Sequence, residues 1–187
     1  VNWDSTGMFV AQAGAEAGWN NAMYVSGTNI WFGTNNSRVY YSPLAGLTGT
    51  WQVQSTTQAS SYAVWFNTTT NGMLGGAQLM ATNNSGVNWT AVTSPGTGNV
   101  TGITGSTVNY WFTRQATSIY RTTDNGVTFT TDYTAPLGTF THIQKAAIGS
   151  RMWAVRNNGG IASSLSTVGI EPVSTEIPNT FALSQNY

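Results

Sequence analysis

Residues Arg121 to Thr130 read "RTTDNGVTFT", an Asp-Asn-Gly turn set between two short runs in which threonine alternates with other residues. Period-two alternation marks a half-buried strand, and Asp-Asn-Gly supplies the left-handed backbone of a tight hairpin. The stretch predicts two antiparallel strands joined by a pinned turn. Forty residues earlier, "ATNNSGVNWT" (Ala81 to Thr90) repeats it with Asn in place of the acid. A local motif recurring at a fixed distance points to a repeat architecture.

The repeat extends beyond the hairpin. "NIWFGTNN", "NGMLGGAQ", "NYWFTRQA" and "RMWAVRNN" align so that Trp31, Met73, Trp111 and Trp153 correspond, at steps of 42, 38 and 42 residues. Trp51, Trp89 and Phe129 form a second series at steps of 38 and 40. Within one period the β-branched and aromatic runs are short and broken by Gly, Asn and Ser, with no helical stripe. The third period divides into four strands, "NVTGITG", "VNYWFTR", "SIYRTT" and "TFTTDYT". The expected fold is all-β: a β-propeller-like array of about four four-stranded antiparallel blades, with Trp31, Met73, Trp111 and Trp153 packed between blades.

The stretch "TTDNGVTF" resembles the Asp-box hairpin of BNR repeats, found in sialidases, Vps10-type receptors and photosystem assembly factors. Thr122, Asp124, Gly126, Thr128 and Phe129 stand at its fixed positions, and Thr82, Asn84, Gly86 and Trp89 hold the corresponding places in the second repeat. The resemblance implies a scaffold, since Asp-boxes usually lie away from the active face. "SPLAGLTGTW" in the first repeat is longer and lacks the acid, and "SSLSTVGI" in the fourth lacks acid, Gly and aromatic.

The boundaries follow the period. Residues 1–168 form the repeat domain, with repeats over about 20–57, 60–95, 99–135 and 139–168. "VNWDS" at Val1 matches "VNWTA" at Val87, so residues 1–19 read as the last strand of a blade plus a connection, able to close the last blade. The length suits a closed small ring, a piece of a larger propeller, or an open array completed by other chains. Residues 169–187 read as a linker, and "IPNTFALSQNY" resembles the opening of the C-terminal sorting domain of type IX secretion cargo in Bacteroidetes. That resemblance implies a protein outside the cell or on the outer surface of a Gram-negative bacterium.

Composition narrows the function. Only 6% of residues are charged, against roughly 25% in an average domain, and six cations balance six anions. Such a surface lacks the cationic footprint for nucleic acid and tolerates close packing of copies. Cysteine is absent, and no apolar run reaches the length of a transmembrane helix. Glycoside hydrolysis needs two facing carboxylates; Asp124 belongs to its turn, Glu171 and Glu176 to the tail, leaving Asp4, Glu16 and Asp132. A sialidase would need an arginine triad drawn from Arg38, Arg114, Arg121, Arg151 and Arg156, yet Arg121 enters the Asp-box and no Arg-Ile-Pro motif stands near the start. His142 is the sole histidine, which supports neither a catalytic triad nor a metal site.

The reading is therefore a noncatalytic extracellular or cell-surface module with a structural or adhesive role and no cofactor or metal. Its expected partners are copies of itself, extracellular polymers or a glycan, with Trp19 and Tyr24 as surface contacts. The alternative is a carbohydrate-active protein, hydrolase or lectin, on the same scaffold.

Overall fold

The computed structural model describes residues 12–47 and 49–164. Fifteen antiparallel strands and no helix are found among them. Blade 1 holds β1 (Gly18–Ser26), β2 (Asn29–Thr34), β3 (Arg38–Ser42) and β4 (Gln52–Ser55). Blade 2 holds β5 (Ser61–Phe66), β6 (Gly72–Gly76), β7 (Leu79–Thr82) and β8 (Thr90–Val92). Blade 3 holds β9 (Val100–Ser106), β10 (Asn109–Arg114), β11 (Ser118–Thr122) and β12 (Thr130–Thr134). Blade 4 holds β13 (Phe140–Lys145), β14 (Met152–Arg156) and β15 (Ile161–Ser163). Every sheet is an up-and-down meander in chain order. The fold is a β-propeller of four blades.

The four strands expected in the third repeat match β9 to β12 closely. The first repeat starts earlier than expected, because Gly18 and Trp19 already belong to β1. Blade 4 shows three strands among the described residues where four were expected. The N-terminal strand expected at Val1 to Ser5, the sorting-like tail and most of "SSLSTVGI" lie outside the described residues.

The first strand of each blade lies innermost, β1 against β5, β5 against β9 and β9 against β13. Each blade presents one face to the blade before it and one to the blade after. Trp31, Val39 and half-buried Tyr41 pack on Val64, Phe66, Leu74, Met80 and Trp89 across the first seam. Ala63, Met73 and Leu79 meet Ile103, Phe112 and Tyr120 across the second. Trp111 and Ile119 meet Ile143, Ala154 and Ala162 across the third. Among the described residues no strand of blade 4 lies against blade 1 with comparable closeness.

Candidate functional site

The hairpins set the seams between blades. Thr122 Oγ1 donates to Asp124 Oδ1 at 2.7 Å and accepts from the Gly126 N–H at 2.9 Å. Asp124 Oδ1 accepts from the N–H groups of Val127 and Thr128 at 3.1 and 2.9 Å. The Thr128 hydroxyl and N–H, with the Thr122 hydroxyl, hold the Asp124 carboxyl down to about 2. In blade 2, Thr82 bonds Asn84 Oδ1 and the Gly86 N–H at the same positions, and Asn84 Oδ1 accepts from the Asn88 N–H.

Blade 1 has the same hairpin without the acid. Ser42 Oγ accepts from the Leu44 and Gly46 N–H groups, and Ala45 and Gly46 repeat the paired positive φ of Ser85 with Gly86 and Asn125 with Gly126. The sequence did carry that signal, as a Ser, a Gly and a Trp with an inserted loop between Gly and Trp.

The hairpins of blades 2 and 3 dock beneath the preceding blade. The Trp31 indole donates to the Ser85 carbonyl at 3.0 Å, and a Cβ on Gly126 would come within 2.9 Å of Met73 Cε. Trp111 instead donates to Asp132 Oδ2 at 3.0 Å. Trp153, expected between blades, stands exposed on the open face of blade 4 with the Arg151 guanidinium 5.6 Å from its ring. Tyr24, expected at the surface, is half-buried in the first seam, its ring 4.6 Å from Trp65, and burial raises its pKa.

The site that the four blades build together lies at the axis. The innermost strand of every blade has a bulge near its start, between Gly18 and Met23, Ser61 and Ala63, Val100 and Gly102, and Phe140 and His142. A bulge re-aims side chains out of the pleat. The residues so displaced, Trp19 to Asn21, Tyr62, Thr101 and Thr141, line a cavity of about 380 Å3 with Asn99 and Gln115. Trp19 and Tyr62 meet edge to face at 4.8 Å, with Trp19 substantially exposed. The lining carries aromatic faces, amides and hydroxyls but no ionisable acid or base besides the Tyr62 phenol. Of these residues the sequence singled out Trp19 alone, since the bulges carry no sequence signature.

A second gap of about 460 Å3 lies between blades 3 and 4, lined by Trp111, Asp132, Tyr133 and Ile143 among others. It arises because Ala154 and Ala162 stand where blade 3 has Phe112 and Tyr120. Ser163 and Ser164 also line it.

The described carboxylates are all engaged. Glu16 is buried, which alone would raise its pKa, but bonds from Thr34, the Ala13 N–H and Tyr40, with Arg38 at 3.2 Å, hold it below the ordinary range. Asp132 takes Trp111 and Arg121. The arginines are dispersed over the blades. Arg114 is buried and donates to the Pro95 and Gly98 carbonyls and to Ser94, while Arg156 donates to the Leu137 carbonyl. Burial pushes the His142 imidazole down, opposed by its hydrogen bond to the Gln144 side chain, which favours the protonated ring. No cluster of metal-ligating side chains is found among the described residues.

No protein-family model and no curated protein matches the sequence. Solved structures do match in fold. The computationally designed protein Ika4 superposes with a TM-score of 0.67 at 11% identity, over 86% of this chain and 98% of its own. The designed Ika8 gives 0.59 at 12% identity, over 83% of this chain and 48% of its own. YCF48 from Cyanidioschyzon merolae gives 0.60 at 11% identity, over 82% of this chain and 57% of its own. The chain thus spans the whole of the first and about half the length of the other two. These likenesses show the propeller fold.

Proposed function

We propose that the protein is a noncatalytic propeller module with a structural or adhesive role outside the cell, holding an uncharged extracellular polymer at its axis and associating with copies of itself. The observation that carries the reading is the convergence of four bulges on one depression that offers an aromatic pair, amides and hydroxyls but no carboxylate. Aromatic faces stack on sugar rings, and amides exchange hydrogen bonds with hydroxyls without charge. The same reading accounts for the sparsely charged surface. The resemblance of the C-terminal segment to a sorting domain supports an outer-surface location in a Gram-negative bacterium.

The direct test is a panel of neutral polysaccharides and glycans read by calorimetry. Binding is expected, and Trp19→Ala should weaken it roughly tenfold, which corresponds to about 1.4 kcal/mol. Equal affinity in the variant would remove the axis as the site. Protease shaving of intact cells should release the protein if it stands on the outer surface.

Asp132 favours a second reading. It is a carboxylate lining the gap between blades 3 and 4, beside the aromatic side chains of Trp111 and Tyr133, which brings an acid and sugar-stacking faces together. Turnover of chromogenic glycosides that Asp132→Asn abolishes would replace the first reading with this one.

A further inference from the structure

The repeat allows the same position to be compared in all four blades. Val39, Leu79, Ile119 and Ile161 occupy one position on the face that looks toward the next blade. The first three are 0%, 0% and 8% exposed, and Ile161 is 64% exposed. Trp153, the counterpart of fully buried Trp31, is 45% exposed, and Val155 beside it is also open. On the opposite face Met23, Val64, Ile103 and Ile143 correspond, each paired with the same position of its second strand. Val64, Ile103 and Ile143 are 3%, 3% and 2% exposed, while Met23 is 62% exposed, with Val25 open on the same face.

Among the described residues two faces with exposed apolar side chains therefore lie at the two ends of the array, and they are the two halves of one seam. The seam the chain builds internally joins a Trp31-type face to the Leu74-type face of the next blade, with the indole on the carbonyl of that blade's hairpin. Blade 4 offers the first half, with Trp153. Blade 1 offers the second, with Met23, Val25, half-buried Phe32 and the hairpin of Ala45 and Gly46, whose Ala45 carbonyl is the counterpart of that of Ser85.

We infer that a second copy of this chain occupies these faces, in a head-to-tail pair in which blade 4 of each copy packs on blade 1 of its partner. The inference rests on the self-association part of the proposed function and names its geometry. Three observations select a second copy. The faces are complementary in kind rather than identical, so a contact between like ends is disfavoured. Among the described residues blades 1 and 4 do not lie against each other with the closeness of the internal seams, which leaves both faces open to a partner. The balanced charge of the chain opposes no such approach. A pair closed in this way buries both bare faces twice and leaves no end for a third copy.

The test is the solution mass of the full chain by native mass spectrometry and sedimentation. The expected species has twice the chain's mass. Met23→Glu and Trp153→Glu, both at exposed positions and so compatible with folding, should each give monomers, while Ile148→Glu on an exposed loop should leave the pair intact. Mixing the Met23→Glu and Trp153→Glu proteins should restore pairs, because one of the two seams is then free of substitutions. Circular dichroism unchanged across the variants confirms that they fold. A wild-type monomer overturns both the inference and the self-association reading. An open-ended ladder of sizes, a pair indifferent to Met23→Glu and Trp153→Glu, or no rescue on mixing overturns the closed head-to-tail pair while leaving self-association standing.

Discussion

At the scale of single residues, Asp124 shows how one side chain organises a turn. Its carboxylate collects the N–H groups of Val127 and Thr128 and the hydroxyls of Thr122 and Thr128, which leaves few orphan donors in the hairpin. These bonds favour the ionised form. A carboxyl whose pKa falls to about 2 on folding, from an ordinary value of 3.8, adds stability at pH above 3.8, and that contribution disappears as pH falls through about 2. Urea unfolding followed by tryptophan fluorescence across this range should therefore show a steep acid loss in the wild type. Asp124→Asn should be less stable at neutral pH and flatter in acid. Asn84→Asp should do the opposite, giving blade 2 an acid-sensitive hairpin of its own, since Asn84 already accepts from Thr82 and Asn88. An unchanged acid slope in Asp124→Asn would assign the effect elsewhere.

At the scale of the element, the unit of cohesion is a blade face together with the next blade's hairpin. Trp31 is wholly buried, stacks on Phe66 at a centroid distance of 3.8 Å and bonds the Ser85 carbonyl. Truncating a buried aromatic costs about 3 to 5 kcal/mol, so Trp31→Ala should lower stability by that order, measured by denaturant midpoint at constant slope. Trp153→Ala should cost far less in the isolated chain, because Trp153 stands exposed. The sequence made this architecture legible because the strand period and the indole spacing are local patterns that survive loop changes. It made less of blade 1, where Ser42 replaces the Thr and the acid is missing, although Gly46 still turns under Trp51. Gly75 belongs to the same lesson. A Cβ there would stand 2.7 Å from Val100 of blade 3, so Gly75 marks a close approach of blades, which the sequence left open between a turn and tight blade packing. The axial site was the least legible, because Trp19, Tyr62, Thr101 and Thr141 come from segments about forty residues apart and reach the axis only through bulges.

At the scale of the whole molecule, an array whose blades contact only their neighbours has a stability that varies along the chain. Among the described residues blades 2 and 3 have a neighbouring blade on both faces, and blades 1 and 4 on one. Every residue of β6 is buried, whereas β14 alternates and β15 is largely open. Amide hydrogen exchange on a monomeric variant such as Met23→Glu should therefore be slowest in β6 and β10 and fastest in β14 and β15. Pairing changes this profile in a defined way, because a partner that binds only the folded state stabilises it by mass action. In the wild type, raising the protein concentration should slow exchange selectively in β1, β14 and β15, the strands that carry Met23, Trp153 and Ile161, and leave β6 as it was. The melting temperature should rise with concentration in the wild type and stay constant in the variant. A profile that ignores concentration while the mass doubles would mean that the copies meet through some other surface, and the bare faces of blades 1 and 4 would then have no part in the assembly.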